Sequence, residues 1–328
     1  MATDHEVRIL TQDEYPLWDE LVAKSPQGTI FHTSIWISTC ARLTSKKEIV
    51  YGFFKNNTLI AGCAIYSDKK YHFLSTAVST APMTPYGGFI FLPFESSKVR
   101  ENEQIRNTIF STINDEMKKT FDYIKIVNCP EISDIRPFIW NGWKPSIYYT
   151  YFFNLDGIVE EKISKKVRNT IRRSQKLGIA LKQENNPDLY YQLTCKTYEK
   201  QHIAQPVSKN FLMKMIEMII SNNLGEMWIA RTLSGEPAAA EIVIWDNKRA
   251  HRWSAASNVQ FKDTGATSFL LFDIFQDLQK RGFREINLMA GNTPHLTKFI
   301  SSFNPRLVPY YGVEKTNRFG KLHNLFLM

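Results

Sequence analysis

The sequence contains few cysteines, and none of them are paired. Cys40, Cys63, Cys129 and Cys195 are scattered over 328 residues, and no two of them form a Cys-x-x-Cys motif. Disulfide frameworks and zinc sites use cysteines at short, regular spacings, so this pattern argues against both. We expect free thiols that pack as small apolar side chains in a reducing cytosol.

Long hydrophobic runs are also missing. No apolar stretch approaches the roughly 20 residues that a membrane-spanning helix needs. The first residues, MATDHEVRILTQDEYPLWDE, do not contain the continuous apolar segment of a signal peptide. The sequence therefore predicts a cytoplasmic protein without a membrane span.

Several well-known catalytic motifs are absent. The chain has no Ser-His-Asp spacing, no HExxH, no Walker loop, no GxGxxG and no EF-hand loop. We therefore expect a reaction that requires no metal.

The charge is biased towards cations, with a net charge of +9 and a pI near 9.2. Such a surface favours acidic partners, including nucleic acid, phosphate compounds and anionic membranes. Ordinary soluble enzymes often carry a similar charge, so the bias alone does not identify the partner. The length suits two domains, and 43% hydrophobic residues suffice for a sizeable core.

The order of patterns in the first half of the chain returns in the second half. VYGFFKNNTLIAGCAIY and MWIARTLSGEPAAAEIVIWDNKRAHRWSAAS read as strands joined by tight turns. Each is followed by an amphipathic helix, predicted at 102–119 and 265–281, and then by a short strand, FDYIKIVNC or FREINLMAG. The two closing segments, RPFIWNGWKPSIYYTYFF and TKFISSFNPRLVPYYGVE, are also alike. We predict two copies of one α/β (α+β) unit with mixed sheets, comprising residues 1–155 and 156–328.

A cation-rich segment, KKVRNTIRRSQKLG, opens the second half. As a helix it places Ile163, Val167, Ile171 and Leu177 on one side. The opposite side carries a row of cations: Lys165, Arg168, Arg172 and Lys176. Such a row is suited to a diphosphate or a polynucleotide backbone. A plain solvated face is the alternative.

The segment KDTGATSF, residues 262–269, enters the second amphipathic helix. Free N–H groups at a helix start bind anions, and a glycine lets a ligand approach the backbone closely. The candidate cofactor-binding residues are Thr264, Gly265, Ala266 and Thr267. An ordinary capped helix start explains the same residues.

Taken together, KKVRNTIRRSQKLG, TGATSFLLFDIFQDLQKRGFREINLMAG, LTKFISSFN and the early FHTSIW resemble the FemAB/FemX-like family. The resemblance implies two tandem GNAT-like domains, each a mixed, largely antiparallel sheet flanked by helices. It also implies a first domain that is acceptor-side or structural, and a donor-side second domain. The chain departs from the family at Phe299-Ile300, where the family often has Phe-Lys, and at Cys40, four residues after Trp36, where a lysine is frequent.

The resemblance directs attention to residues that could serve acyl transfer. Glu241 in PAAAEIVIW is the candidate base, and a carboxylate satisfied by a neighbouring arginine is the alternative. Further catalytic candidates are His295, Lys298 and Tyr311. Phe299, and Tyr86, Gly87 and Gly88 in the loop APMTPYGGFIF, are the remaining substrate-binding candidates. The alternatives are a structural role for His295, core or rim packing for Tyr311, and turn formation for the loop residues. As a helix, the segment would point Lys298 away from the position of the family's lysine.

The sequence thus predicts a cytoplasmic N-acyltransferase or aminoacyltransferase. Its donor would be acyl-CoA or aminoacyl-tRNA, a co-substrate and not a tightly bound cofactor. Its acceptor would be an amine in a groove between the units, with cell-envelope and polysaccharide precursors among the candidates. The partner is a phosphate-containing donor or acceptor, tRNA included. A non-catalytic RNA- or anion-binding module on a degenerate GNAT scaffold and simple acetylation of a small amine are the alternatives.

Overall fold

The computed structural model describes residues 5–70, 74–94, 96–201 and 204–316. The strands are β1 (His5–Ile9), β2 (Lys47–Lys55), β3 (Thr58–Lys70), β4 (Leu74–Val78), β5 (Gly88–Phe91), β6 (Tyr123–Val127), β7 (Lys144–Asn154), β8 (Ala180–Gln183), β9 (Gly225–Arg231), β10 (Pro237–Trp245), β11 (Ala250–Ser257), β12 (Glu285–Met289) and β13 (Arg306–Thr316). The helices are α1 (Tyr15–Lys24), α2 (Ser34–Leu43), α3 (Val99–Thr120), α4 (Arg136–Trp140), α5 (Val159–Lys162), α6 (Lys165–Lys176), α7 (Pro187–Gln201), α8 (Lys209–Ser221), α9 (Ala266–Lys280) and α10 (Pro294–Ile300).

The chain divides into two compact units. The first comprises Met1–Tyr148 with Pro309–Met328, and the second comprises Tyr149–Val308. Within the described residues, no helix combines the length and apolarity needed to cross a bilayer.

The sheet of the first unit has the strand order β1-β2-β3-β4-β6-β13, with β5 added against β3. Only β4 and β6 run parallel among its described pairs. Helix α3 lies between them in sequence, because a parallel connection needs a crossover long enough to return the chain to the same edge. Large aromatic side chains fill the core, among them Trp18, Trp36, Phe31, Phe89, Phe110 and Phe138.

The second unit repeats this plan with the strand order β7-β12-β11-β10-β9-β8. Strands β11 and β12 are parallel and α9 is their crossover, whereas the other described pairs are antiparallel. Phe153 of β7 stacks on Phe275 of α9 with ring centroids 4.4 Å apart. The predicted mixed, largely antiparallel α/β architecture is therefore confirmed.

The closing strands differ from the sequence-based division after residue 155. That division assigns residues 149–155 to the first unit and β13 to the second. In the structure, β13 pairs antiparallel with β6, and β7 pairs antiparallel with β12. The two closing segments resemble each other, so neither carries a local signal for the sheet that it joins. In the observed register, Gly312 lies opposite Val127 and Ile286 lies opposite Phe153.

Candidate functional site

Helix α6 presents its cations on the surface of the second unit because its apolar stripe is buried. Val167 and Ile171 pack into the core, and Ser164 caps the helix by accepting from the N–H of Val167 at 3.3 Å. Asp156 lies before α5 and so does not cap this helix. Gly178 ends the segment with φ at +70°, a conformation that glycine adopts readily.

An open surface depression of 470 Å³ lies on α6. It is lined by Lys165, Lys166, Asn169, Thr170 and Arg173. Three of these five side chains are cationic, and their spacing over two helical turns matches a ligand with more than one phosphate. Lys166 and Arg173 were not among the residues singled out from the sequence.

The predicted cation row divides into two groups. Lys165 lines the depression, but Arg168 and Arg172 turn towards residues 160–163. Arg168 Nη1 donates to the carbonyl oxygens of Glu160 at 3.2 Å and Ile163 at 2.9 Å. Arg172 Nη2 lies 3.4 Å from a Glu160 carboxylate oxygen, with both side chains exposed. Lys176 is exposed at the last turn but does not line the depression.

The loop that begins α9 lies directly against α6. Gly265 is the N-cap with φ at +78°, and a Cβ there would come within 2.6 Å of Thr170 Cγ2. Thr264 Oγ1 accepts from the N–H of Ala266 at 3.3 Å, and Ala266 is buried. Thr267 is half-buried in the first turn, and Gly265 provides no side-chain cap. The structure therefore places the predicted anion-binding loop beside the cationic depression.

Glu241 is fully buried on β10 and forms a bidentate ion pair with Arg252 of β11. Arg252 Nε and Nη2 donate to its two carboxylate oxygens at 2.7 and 2.5 Å, and Arg252 is 8% exposed. Burial raises the pKa of the Glu241 carboxyl, and the charge and hydrogen bonds of Arg252 oppose that rise. Both carboxylate oxygens are therefore engaged, which matches the arginine-satisfied alternative and leaves no free base at this position.

Phe299 is half-buried on α10, next to this ion pair. The Arg252 guanidinium carbon lies 5.8 Å from the centroid of the Phe299 ring. Ile300, which follows Phe299, is fully buried, and Lys298 is exposed. The backbone of His295 lies in α10, but its side chain is outside the described part of the chain. The cation next to Phe299 is thus Arg252, from a strand far away in the sequence.

A second buried pair joins the ends of β10 and β11. His251 Nε2 lies 3.2 Å from Asp246 Oδ2, and the N–H groups of Lys248 and Arg249 donate to Asp246 Oδ1. Burial raises the pKa of Asp246, but His251 and the two N–H groups outweigh it and lower the pKa to about 2. This pair fixes the turn between the strands.

The candidates in the first unit are engaged in packing. Tyr86 is fully buried, with edge-on contacts to Phe31 and Tyr310. The N–H of Gly87 donates to Val127 O at 3.0 Å, and a Cβ on Gly88 would meet Asn128 Oδ1 at 2.5 Å. These contacts place the three residues in the core and not on a ligand surface.

Tyr311 and Cys40 also belong to the first unit. Tyr311 is half-buried on β13, and its carbonyl oxygen accepts from the N–H of Asn128 at 2.9 Å. Its position there follows from the pairing of β13 with β6. Cys40 is fully buried, and burial raises the pKa of its thiol to about 12. Over the described ranges, no group of three or more His, Cys, Asp or Glu residues is arranged to hold a metal ion.

Residues 162–295 match the family described as acetyltransferase (GNAT) domain. This match covers the helix with the depression, the ion pair and the α9 loop. The family match therefore lies wholly within the second unit.

Comparison with solved structures extends this result to the whole fold. FemX superimposes with a TM-score of 0.73 at 10% identity, over 93% of this chain and 96% of that one. The C-terminal domain of a putative lysylphosphatidylglycerol synthetase from Agrobacterium fabrum gives 0.58 at 11% identity, over 95% of each chain. A tandem GNAT protein from the clavulanic acid biosynthesis pathway gives 0.57 at 9% identity, over 95% of this chain and 98% of that one. A comparison with curated proteins found no match.

The predicted resemblance to the FemAB/FemX-like family of tandem GNAT proteins is therefore confirmed at the level of the fold. At these identities the likeness establishes the architecture and not a substrate.

Proposed function

We propose that this protein is an N-acyltransferase that moves an acyl or aminoacyl group from a phosphate-bearing donor to an amine. The observation that carries the proposal is the cationic depression of α6, directly against the start of α9, within a GNAT domain. Acyl-CoA and aminoacyl-tRNA are the two donor classes that combine an activated acyl group with phosphates. An amine on a cell-envelope or polysaccharide precursor is the acceptor we propose, in the cytoplasm.

Donor binding would use charge and backbone together. Lys165, Lys166 and Arg173 would contact phosphate oxygens, with the arginine fork able to bind two of them at once. The first turn of α9 adds N–H groups and the positive end of a helix dipole. Gly265 keeps this approach open, since any larger residue would collide with Thr170 of α6.

Acyl transfer also needs a cation near the acyl oxygen, where negative charge develops in the transition state. The resemblance implies a lysine after Phe299, but Ile300 at that position is fully buried. We assign the role to Arg252, which lies over the Phe299 ring and is held rigid by Glu241. The amine would attack the acyl carbon directly, forming an amide and releasing the thiol of coenzyme A or the tRNA hydroxyl.

A non-catalytic anion-binding role is the second candidate. The pairing of both Glu241 oxygens with Arg252 favours it, because the carboxylate that the sequence suggested as a base is occupied. In this case the depression would bind RNA or another polyanion without turnover.

The two candidates separate in a binding and transfer assay. Coenzyme A, acetyl-CoA and bulk tRNA are tested by calorimetry at two salt concentrations. Label transfer from acetyl-CoA and from aminoacyl-tRNA is then followed to a panel of amines. We expect Lys166→Glu with Arg173→Glu to weaken donor binding at least tenfold.

The matched control is Lys209→Glu with Lys214→Glu on α8, which makes the same charge change at exposed positions of the same unit. It should bind like the original protein. Binding without transfer from either donor would support the anion-binding role. Equal losses in the two double variants would refute the depression as the site.

A further inference from the structure

The first unit contains a second pocket, on the side of α3 that faces α4. Its volume is 250 Å³, just below the range of roughly 300–1,000 Å³ for small-molecule sites. Asn107, Ser111, Asn114 and Lys118 line it from α3, three or four residues apart and so on one face of the helix. Trp140 and Trp143 line the opposite wall.

Three buried polar atoms of this pocket have no hydrogen-bond partner within the described structure. They are Asn107 Oδ1, Asn114 Oδ1 and Trp143 Nε1. Asn114 is 4% exposed and Trp143 is 3% exposed, so bulk water does not satisfy them. Buried polar groups nearly always have partners, so an ordered water or a ligand hydroxyl in this pocket would supply those that these three atoms lack.

The wall that carries the tryptophans is rigid. Trp143 packs edge-on against Phe138 with ring centroids 5.6 Å apart, and its backbone N–H donates to the carbonyl oxygen of Phe138. Gly142 turns the chain with φ at +71°, and Lys315 Nζ holds the carbonyl oxygens of Asn141 and Gly142 at 2.9 and 3.0 Å. A preorganised wall lowers the entropic cost of binding.

The chemistry of the lining indicates a neutral, hydroxyl-rich ligand. Lys118 Nζ lies 3.0 Å from the Asp115 carboxylate, so this edge carries no net charge. Trp140 is 67% exposed, the Arg136 guanidinium carbon lies 5.5 Å from its ring centroid, and the ring lines the pocket together with Trp143 and the asparagines. A sugar ring matches this combination, with C–H groups for the aromatic face and hydroxyls that both donate and accept.

We propose that this pocket binds one monosaccharide unit, either free or at the end of a glycan. The site lies wholly within the first unit and is non-catalytic. It does not depend on the acyltransferase proposal, because it uses no residue of the second unit.

The test is saturation-transfer NMR on the full chain with glucose, galactose, mannose and N-acetylglucosamine, each also as its methyl glycoside. We expect millimolar binding of at least one sugar and at least a tenfold loss in Trp140→Ala and in Asn114→Leu. Ile139→Ala, an exposed apolar truncation on the same helix, is the control and should bind normally. Binding of the glycoside but not of the free sugar would assign the site to a glycan end.

Asn114→Leu also separates binding from folding. It replaces an unpartnered buried amide with an apolar group of similar size, so its melting temperature should equal or exceed that of the original protein. If this variant fails to fold, exposed Trp140 still carries the test. The proposal is overturned if no sugar binds, if both pocket variants retain binding, or if inorganic phosphate displaces the sugar.

Discussion

The Glu241–Arg252 ion pair provides a test of how the buried charges of the second unit are held. Both side chains are almost completely buried and joined by two short hydrogen bonds. Removing one partner from such a pair leaves an uncompensated charge and costs about 3–5 kcal/mol. We therefore expect this loss in unfolding free energy for Glu241→Leu and for Arg252→Met at pH 8.

The double variant should behave differently from the sum of the singles. Two independent losses would amount to about 6–10 kcal/mol, whereas an apolar replacement of the whole pair is often neutral or stabilising. We expect the double variant to fall within about 2 kcal/mol of the original protein. Urea unfolding, fitted with one transition for each unit, measures the three values.

The two single variants should also differ in their response to pH. Arginine stays charged, so in Glu241→Leu the unpaired group carries its charge at every pH between 5 and 8. Without Arg252, burial raises the Glu241 pKa unopposed, and the carboxyl can become neutral. The penalty in Arg252→Met then grows as pH rises above the unfolded carboxyl pKa of about 4.3 and shrinks at pH 5.

The exposed pair Lys214–Glu217, 2.7 Å apart, is the control and should contribute no more than about 1 kcal/mol. Additive losses in the double variant would refute the reasoning. Arg252→Lys tests the effect on activity, because it keeps the positive charge but cannot form the bidentate hydrogen bonds to Glu241. It should lower kcat more than it raises KM.

Three further predictions test the surroundings of the site. Asp246, with a pKa of about 2, stabilises the fold at pH values above its unfolded pKa of about 3.9, and this contribution is lost as pH falls towards 2. Asp246→Asn should therefore lower the unfolding free energy by about 2 kcal/mol at pH 7 and flatten the acid limb of a pH–stability curve. Gly265→Ala should lower the melting temperature more than Gly235→Ala does. Both glycines have positive φ, but only a Cβ at position 265 would collide with a neighbour. Equal shifts in melting temperature would contradict this. In urea unfolding, Arg168→Met should lower the unfolding free energy by about 1–2 kcal/mol and Arg172→Met by less than about 0.5 kcal/mol. The reason is that, of the two, only Arg168 donates to two carbonyl oxygens. The reverse order would contradict this explanation.

Much of the secondary structure follows from local pattern alone. The helix predicted at 102–119 is observed at Val99–Thr120, and the one predicted at 265–281 at Ala266–Lys280. Periodicity and a glycine stop are enough to place such elements. The closing strands could not be placed in this way, because both segments carry similar patterns and only the long-range pairing of β13 with β6 distinguishes them.

The site shows the same limit at the level of single side chains. A helical wheel gives the buried stripe correctly at Ile163, Val167 and Ile171, but Leu177, which the same wheel placed there, is 46% exposed. The wheel also gives the opposite row of Lys165, Arg168, Arg172 and Lys176. Both arginines of this row contact carbonyl or carboxylate groups of residues 160–163. A helical wheel does not include these neighbouring groups, so it could not predict the contacts. The face beside α9 instead carries Lys166 and Arg173, about 100° around the helix from Lys165 and nearer to Gly265.

Arg252 illustrates the same point for the cation that we propose for acyl transfer. The family resemblance implies a lysine adjacent to Phe299 in the chain, whereas the structure supplies a cation adjacent to it in space, from β11. Stabilising an acyl oxygen requires a positive charge at the right position in space, whatever the position of the charged residue in the sequence. A strand that pairs with β10 can therefore meet it, provided that a buried carboxylate such as Glu241 fixes the guanidinium. Loss of transfer in Arg252→Met, with donor binding intact, would support this substitution of one cation for another, and retained transfer would refute it.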